Sequence, residues 1–301
     1  MYLAHFGLRE FPFSLTPDIV FAYQAKTHQE GLNTLLLALQ GGEGFIKVTG
    51  EVGTGKTLLC RTLLDRLGGP DSGTVTAYIP NPSLHSHQML RHLALELGVR
   101  ARQMREEPDL YDAVERKLLA LADLGKRVVL CIDEAQALPV ETLESLRLLS
   151  NLETSKHKLI QIVLFGQPEL NEMLERQSLR SLASRIAFSA RLAPLPLGDL
   201  SSYLRHRLIV AGWAGPDLFS AAANRLLWLG SGGVPRRANA MAHKALMLAF
   251  GEGHRHVDAG LAWRAWRDAE SLPRALRSMV GSTLSLLAGA WFGRAPMGAT
   301  S

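Results

Sequence analysis

The 301 residues, 47% apolar and 20% charged, have the composition of a folded globular chain and exclude an intrinsically disordered one. The formal net charge of +5 is uneven: residues 1–198 carry 21 Lys+Arg against 22 Asp+Glu, residues 199–270 carry 9 against 6, and residues 271–301 carry three arginines and no acid. Two cysteines exclude a disulfide framework, and Arg9 and Glu10 break the N-terminal apolar residues too early for a secretory signal, so the chain reads as cytoplasmic.

Residues 1–27 contain Phe6, Phe11, Phe13, Phe21 and Tyr23, too aromatic for a disordered leader, and are expected to form an ordered, largely irregular arm packed on the main domain. Leu32, Leu35, Leu36 and Leu39 recur at helical spacing and predict a helix over 28–40. Residues 44–49 predict a short apolar strand and 58–64 the first turns of a helix. Residues 74–79 are strand-like, and 83–98 and 108–124 read as amphipathic helices. The apolar run 127–132 is that of a central parallel strand covered on both faces. Pro139 opens the next helix, whose positive end suits Glu141 and Glu144. Two further strands are predicted at 158–165 and 186–190, and then strand signals stop. Residues 199–212, 217–230, 235–250 and 257–269 predict helices separated by glycine-containing turns. The pattern predicts an arm over 1–27, a three-layer α/β domain with a mainly parallel sheet over 28–198, a small all-helical lid over 199–270 and a basic, apolar tail over 271–301.

Between the first strand and its helix, Gly50, Glu51, Val52, Gly53, Thr54, Gly55, Lys56 and Thr57 match the phosphate-binding pattern G-x-x-x-x-G-K-[ST] and run into Leu58. Glycines there let backbone N–H groups close around phosphate oxygens at a helix N-terminus. Lys56 would reach the β- and γ-phosphates of ATP and Thr57 would ligate Mg²⁺. Asp133 and Glu134 stand at the C-terminal end of a buried strand, where ligands of open α/β sheets bind. Asp133 suits Mg²⁺ and Glu134 the orientation of an attacking water, although alone an acid pair can simply end a strand and cap a helix. Gln167 is expected at the γ-phosphate or the attacking water, or else opens the turn before Pro168. Arg185 can project into a neighbouring subunit's nucleotide or make a surface ion pair, with Arg180 as a competitor. Arg236, at the start of a lid helix, can reach the γ-phosphate, whereas Arg237 is expected in solvent. His85, His87, His92, His254 and His256 lack a cysteine or acid at ligand spacing.

In this order the motifs resemble an AAA+ ATPase, a P-loop NTPase with a helical lid. More narrowly, Phe6-Gly-Leu, Pro12-Phe13, Gly44-Phe45, the run Thr49 to Thr57, Ile132-Asp-Glu-Ala-Gln136 and Gly166-Gln-Pro-Glu-Leu170 are similar to the general secretion pathway protein A family. Ala77-Tyr-Ile-Pro-Asn-Pro82, Asn151-Leu-Glu-Thr154 and the run Gln161 to Leu170 resemble its MSHA pilus biogenesis branch, and the likeness covers roughly residues 1–268. The resemblance implies ATP and Mg²⁺ as cofactors, with Lys56, Thr57, Asp133 and Glu134 in the roles above and Gln167, Arg185 and Arg236 as sensors and finger. It further implies a nucleotide-dependent homo-oligomer working with pilus or secretion assembly proteins at the inner membrane. Larger family members continue into a membrane span and a periplasmic peptidoglycan-binding module, for which 301 residues leave no room, so cell-wall binding is not expected.

Residues 278–293 form an uncharged stretch of 16, short of the ~20 apolar residues of a spanning helix, and could contact a membrane surface weakly beside Arg274, Arg277 and Arg294. Two alternatives to the pilus reading remain: a DNA-binding AAA+ regulator of the transposition type, which the basic C-terminal third permits, and a slow ATP-gated scaffold. The match to the pilus branch favours an assembly ATPase over the DNA-binding regulator; the scaffold, a less catalytic version of the same reading, predicts negligible turnover even after oligomerisation.

Overall fold

Five apolar segments pair into one parallel sheet in the order β2-β3-β4-β1-β5. They are β1 Phe45–Gly50, β2 Thr74–Ile79, β3 Arg127–Ile132, β4 Ile160–Gly166 and β5 Ile186–Leu192. The computed structural model describes residues 2–16, 18–69, 72–80, 84–100, 110–154 and 157–268, so the expectation of membrane contact for the tail lies outside the described residues. Helices α1 Tyr2–Phe6, α2 Lys26–Gln40 and α3 Lys56–Leu67 come first, followed by α4 Ser86–Glu96, α5 Leu110–Asp123 and α6 Val140–Leu149. Two short helices, α7 Glu169–Leu174 and α8 Arg180–Ala183, precede β5. After it come α9 Leu197–Val210, α10 Ala221–Ser231, α11 Pro235–Gly251 and α12 Ala259–Arg267.

Alternation along the strands builds three layers, helices on both faces of the sheet. Ile46 and Val48 of β1, Val129 and Cys131 of β3, and Val163 and Phe165 of β4 pack with Leu35 and Leu39 of α2 and Leu59, Cys60 and Leu63 of α3. Phe45, Val128, Leu130, Ile162 and Leu164 face the opposite layer, with Leu93, Leu118, Leu143 and Leu146 from α4 to α6. Both cysteines are small, fully buried core residues. Buried Gln161 donates to the carbonyls of Leu39 and Glu43, and half-buried Lys47 donates through Nζ to Asn171 Oδ1 at 2.7 Å. The last strand is longer than its apolar residues suggest, because Arg191 and Leu192 continue the pairing beside Thr49 and Gly50.

The arm departs from expectation in where it packs. Tyr2, Phe6, Leu8, Phe13, Phe21 and Ala25 belong to the same buried cluster as Leu200, Leu204, Leu227, Met241, Leu246 and Trp266 of the last helices, not to either face of the sheet. The physical reason is an apolar side that the last helices do not fill among themselves: Phe13 packs against Phe219, just before α10, and Tyr2 against His243 of α11, and without them that side would be open to water. Apart from α1, short turns and the first two residues of α2, the described part of the segment is irregular, as its composition suggests. Among the described residues no helix is long and apolar enough to cross a membrane.

Candidate nucleotide site

Strands β1, β4 and β3 are neighbours, so their C-terminal ends open onto one crevice. The chain leaves β1 into Glu51 to Gly55, leaves β3 at Asp133 and leaves β4 at Gln167. Gly53 (φ +86°) and Gly55 (φ +102°) take conformations that side chains disfavour, and this bends the loop onto the first turn of α3. A cavity of about 250 Å³ lies over the loop, lined by residues 52–58, Glu134 and Arg236, with arm and lid residues on the far side.

Thr57 Oγ1 donates to Asp133 Oδ2 at 2.6 Å, which fixes the strand acid against the start of the helix. Lys56 is 5% exposed and folds back on the loop, donating to the carbonyls of Gly50 at 2.8 Å and Glu51 at 3.1 Å. Burial pulls its ammonium below the ordinary lysine range, against the opposing pull of Glu134, Asp133 and Glu51. Burial likewise pushes Asp133 above the usual aspartate range, opposed by the hydrogen bonds from Thr57 and the Glu134 N–H. For Glu134 burial also raises the pKa, but the amides of Gln167 and Gln136 and the charges of Lys56 and Arg236 outweigh it and hold the carboxyl below its ordinary value. Gln136 Nε2 and Gln167 Nε2 both donate to Glu134 Oε2, at 2.6 and 3.0 Å. Glu134 is the one non-glycine residue with positive φ among the described residues (φ +53°), a strain of ~1–3 kcal/mol that aims its carboxylate over the loop.

The structure thus brings Lys56, Thr57, Asp133, Glu134 and Gln167 together. It seats Arg236 across the loop, its backbone N–H donating to the Gly53 carbonyl at 3.3 Å. Arg185 is not in this pocket: it is exposed, beside Ser150 at 3.5 Å, and Arg180 is exposed on α8. Sequence reasoning missed Gln136, which besides holding Glu134 accepts from the Gln167 N–H at 3.0 Å. It also missed His28, whose Nε2 hydrogen-bonds the Thr54 carbonyl at 2.9 Å beneath the loop. A cue existed for Gln136, two residues past Glu134; nothing local marked His28.

The chain is similar to known proteins in sequence and in fold. A family model described as AAA domain matches residues 39–174. The chain is 41% identical over 297 residues to General secretion pathway protein A of Aeromonas hydrophila, covering 97% of this chain and 54% of that protein, so it spans about half the length of that relative. Among solved structures it is similar to Aeropyrum pernix ORC1 in complex with DNA (TM-score 0.61, 20% identity, 92% of this chain and 76% of that one). It is also similar to Aeropyrum pernix ORC2 in ADPNP-ADP complexes (TM-score 0.59, 19% identity, 84% of this chain and 72% of that one). The chain therefore has the AAA+ P-loop NTPase fold and belongs to the family of General secretion pathway protein A.

Proposed function

We propose that this protein binds and hydrolyses ATP as a nucleotide-dependent homo-oligomer that assists assembly of a type IV pilus of the MSHA kind or a related type II secretion machine, on the cytoplasmic side of the inner membrane. The observation that carries the ATP reading is the 2.6 Å hydrogen bond from Thr57 to Asp133, with Glu134 held beside it by two amides. The loop also fits a phosphate chain. A Cβ on Gly55 would lie 2.6 Å from His28 Nε2 and one on Gly53 2.6 Å from Arg236 Cβ, so only glycine lets α2 and the lid close on the loop at these two points. Mg²⁺ bound with ATP supplies charge neutralisation at the β- and γ-phosphates. Thr57 and Asp133 are the residues to hold it, and Lys56 is the residue to leave its carbonyl contacts for the phosphates. Glu134, ionised at neutral pH, is placed to orient a water, with Gln136 and Gln167 restricting its swing. Arg236 adds positive charge from the lid, and the exposed Arg185 is free to enter a neighbouring copy's pocket.

The secretion and pilus part rests on the identity to General secretion pathway protein A alone. Glu134→Gln should retain bound ATP and slow turnover by ~10²-fold or more, whereas Lys56→Ala should lose nucleotide binding. Mixing Arg185→Ala with Lys56→Ala should restore part of the activity if Arg185 acts in trans. Normal turnover by Glu134→Gln in an ATPase assay removes the reading. The basic residues after 198 favour one other reading, DNA binding, which a steep loss of duplex binding with salt would reveal.

A further inference from the structure

Opposite the phosphate loop the cavity is closed by a buried polar chain that runs from the arm to the lid. Arg207, Tyr203 and Asn239 are 7%, 7% and 5% exposed. Arg207 Nε donates to the Pro12 carbonyl at 2.5 Å, Nη2 to the Ser14 carbonyl at 3.3 Å and Nη1 to Tyr203 Oη at 3.2 Å. Its guanidinium lies 4.8 Å from the ring centre of Phe21. Because the tyrosine oxygen accepts from arginine, its proton is directed to Asn239 Oδ1, 2.8 Å away. The amide oxygen of Asn239 is therefore used, and its Nδ2 makes no hydrogen bond to any described residue, although the side chain lines the cavity. Asn239 follows Arg236 by one turn of α11, so both face the same space. The surroundings on this side are Phe21, Tyr23, Ala25 and Leu195, which suit an aromatic ring better than a polyanion.

We propose that Asn239 reads the nucleoside half of the bound nucleotide, its Nδ2–H donating to a purine or ribose acceptor, and that Tyr203 and Arg207 are positioning residues that aim it. The proposal rests on the ATP reading above. Since Arg207 is fastened to two arm carbonyls, the arm sets the angle of the amide through Tyr203.

The test is equilibrium binding of Mg²⁺–ATP and of Mg²⁺–tripolyphosphate, a phosphate chain with no nucleoside, to the full chain. Asn239→Ala should weaken ATP binding about tenfold and leave tripolyphosphate within about twofold; Tyr203→Phe should move the same ratio in the same direction by about threefold to tenfold. Lys56→Ala should weaken both ligands together. Equal ATP affinity in Asn239→Ala and the wild type overturns the proposal, as does a parallel loss of both ligands in the two variants, which would mean that the residues only hold the lid. Wild-type protein that binds neither ligand overturns the ATP reading itself, an outcome separate from either of these.

Discussion

His28 carries no motif, yet its ring fixes the crown of the phosphate loop. Nε2–H serves the Thr54 carbonyl, and Nδ1 is buried without a partner, so the neutral ring is the form that fits. Burial lowers its pKa below the ordinary value of 6.5. The unfolded chain then binds a proton that the folded one refuses, so this contribution to stability is complete above pH 6.5 and declines as pH falls toward the lowered value. Denaturant titrations should show that decline setting in as pH falls through 6.5, and His28→Gln should flatten it; an unchanged slope would remove the assignment. Gln136 permits a second prediction at this scale. Gln136→Ala leaves Glu134 with one amide and should lower kcat by ~10–100-fold with nucleotide affinity within about twofold, read from steady-state kinetics beside a binding titration. Single residues were the least legible level of the sequence. Lys56, Thr57, Asp133 and Glu134 announce themselves through spacing and strand ends. His28 and Asn239 act through contacts that only the folded chain creates.

At the level of elements, the phosphate loop is pinned from both sides, by α2 through His28 and by α11 through the Arg236 N–H. Gly55→Ala would force a side chain into positive φ and against the imidazole, whereas a methyl group on Gly125 (φ +70°) would meet nothing within 4 Å. Gly55→Ala should therefore abolish measurable nucleotide binding and destabilise by ~1–3 kcal/mol, and Gly125→Ala should cost only about 1 kcal/mol and leave binding intact. Urea melts and a nucleotide titration on the two variants check this. The sheet was legible in the sequence because β3 and β4 are buried on both faces and read as mostly apolar runs, broken in β4 by Gln161 alone, and because β1 runs straight into the phosphate-loop pattern. The short helices α7 and α8 were not, since six and four residues are too few to establish a helical period.

For the molecule as a whole, the arm and the last helices share one core, and their separation in sequence concealed it. Aromatic content showed that residues 1–27 would be buried, but it could not show against what, because an irregular segment has no period to match with a surface. Phe13, 2% exposed and stacked edge-on to Phe219, tests the arrangement. Phe13→Ala should destabilise by ~3–5 kcal/mol and loosen α9 to α12 ahead of the sheet, which hydrogen exchange resolves by region. The hydrogen bond between Tyr2 and His243 joins residues 241 apart, with consequences for biosynthesis. At ~5–20 residues per second a ribosome needs on the order of 10–50 s to deliver the second partner after the first. Throughout that interval Tyr2 lacks its partner on α11, and the aromatic arm is only partly covered by what has already emerged, so nascent chains stalled before α11 should be the form that recruits chaperones or aggregates.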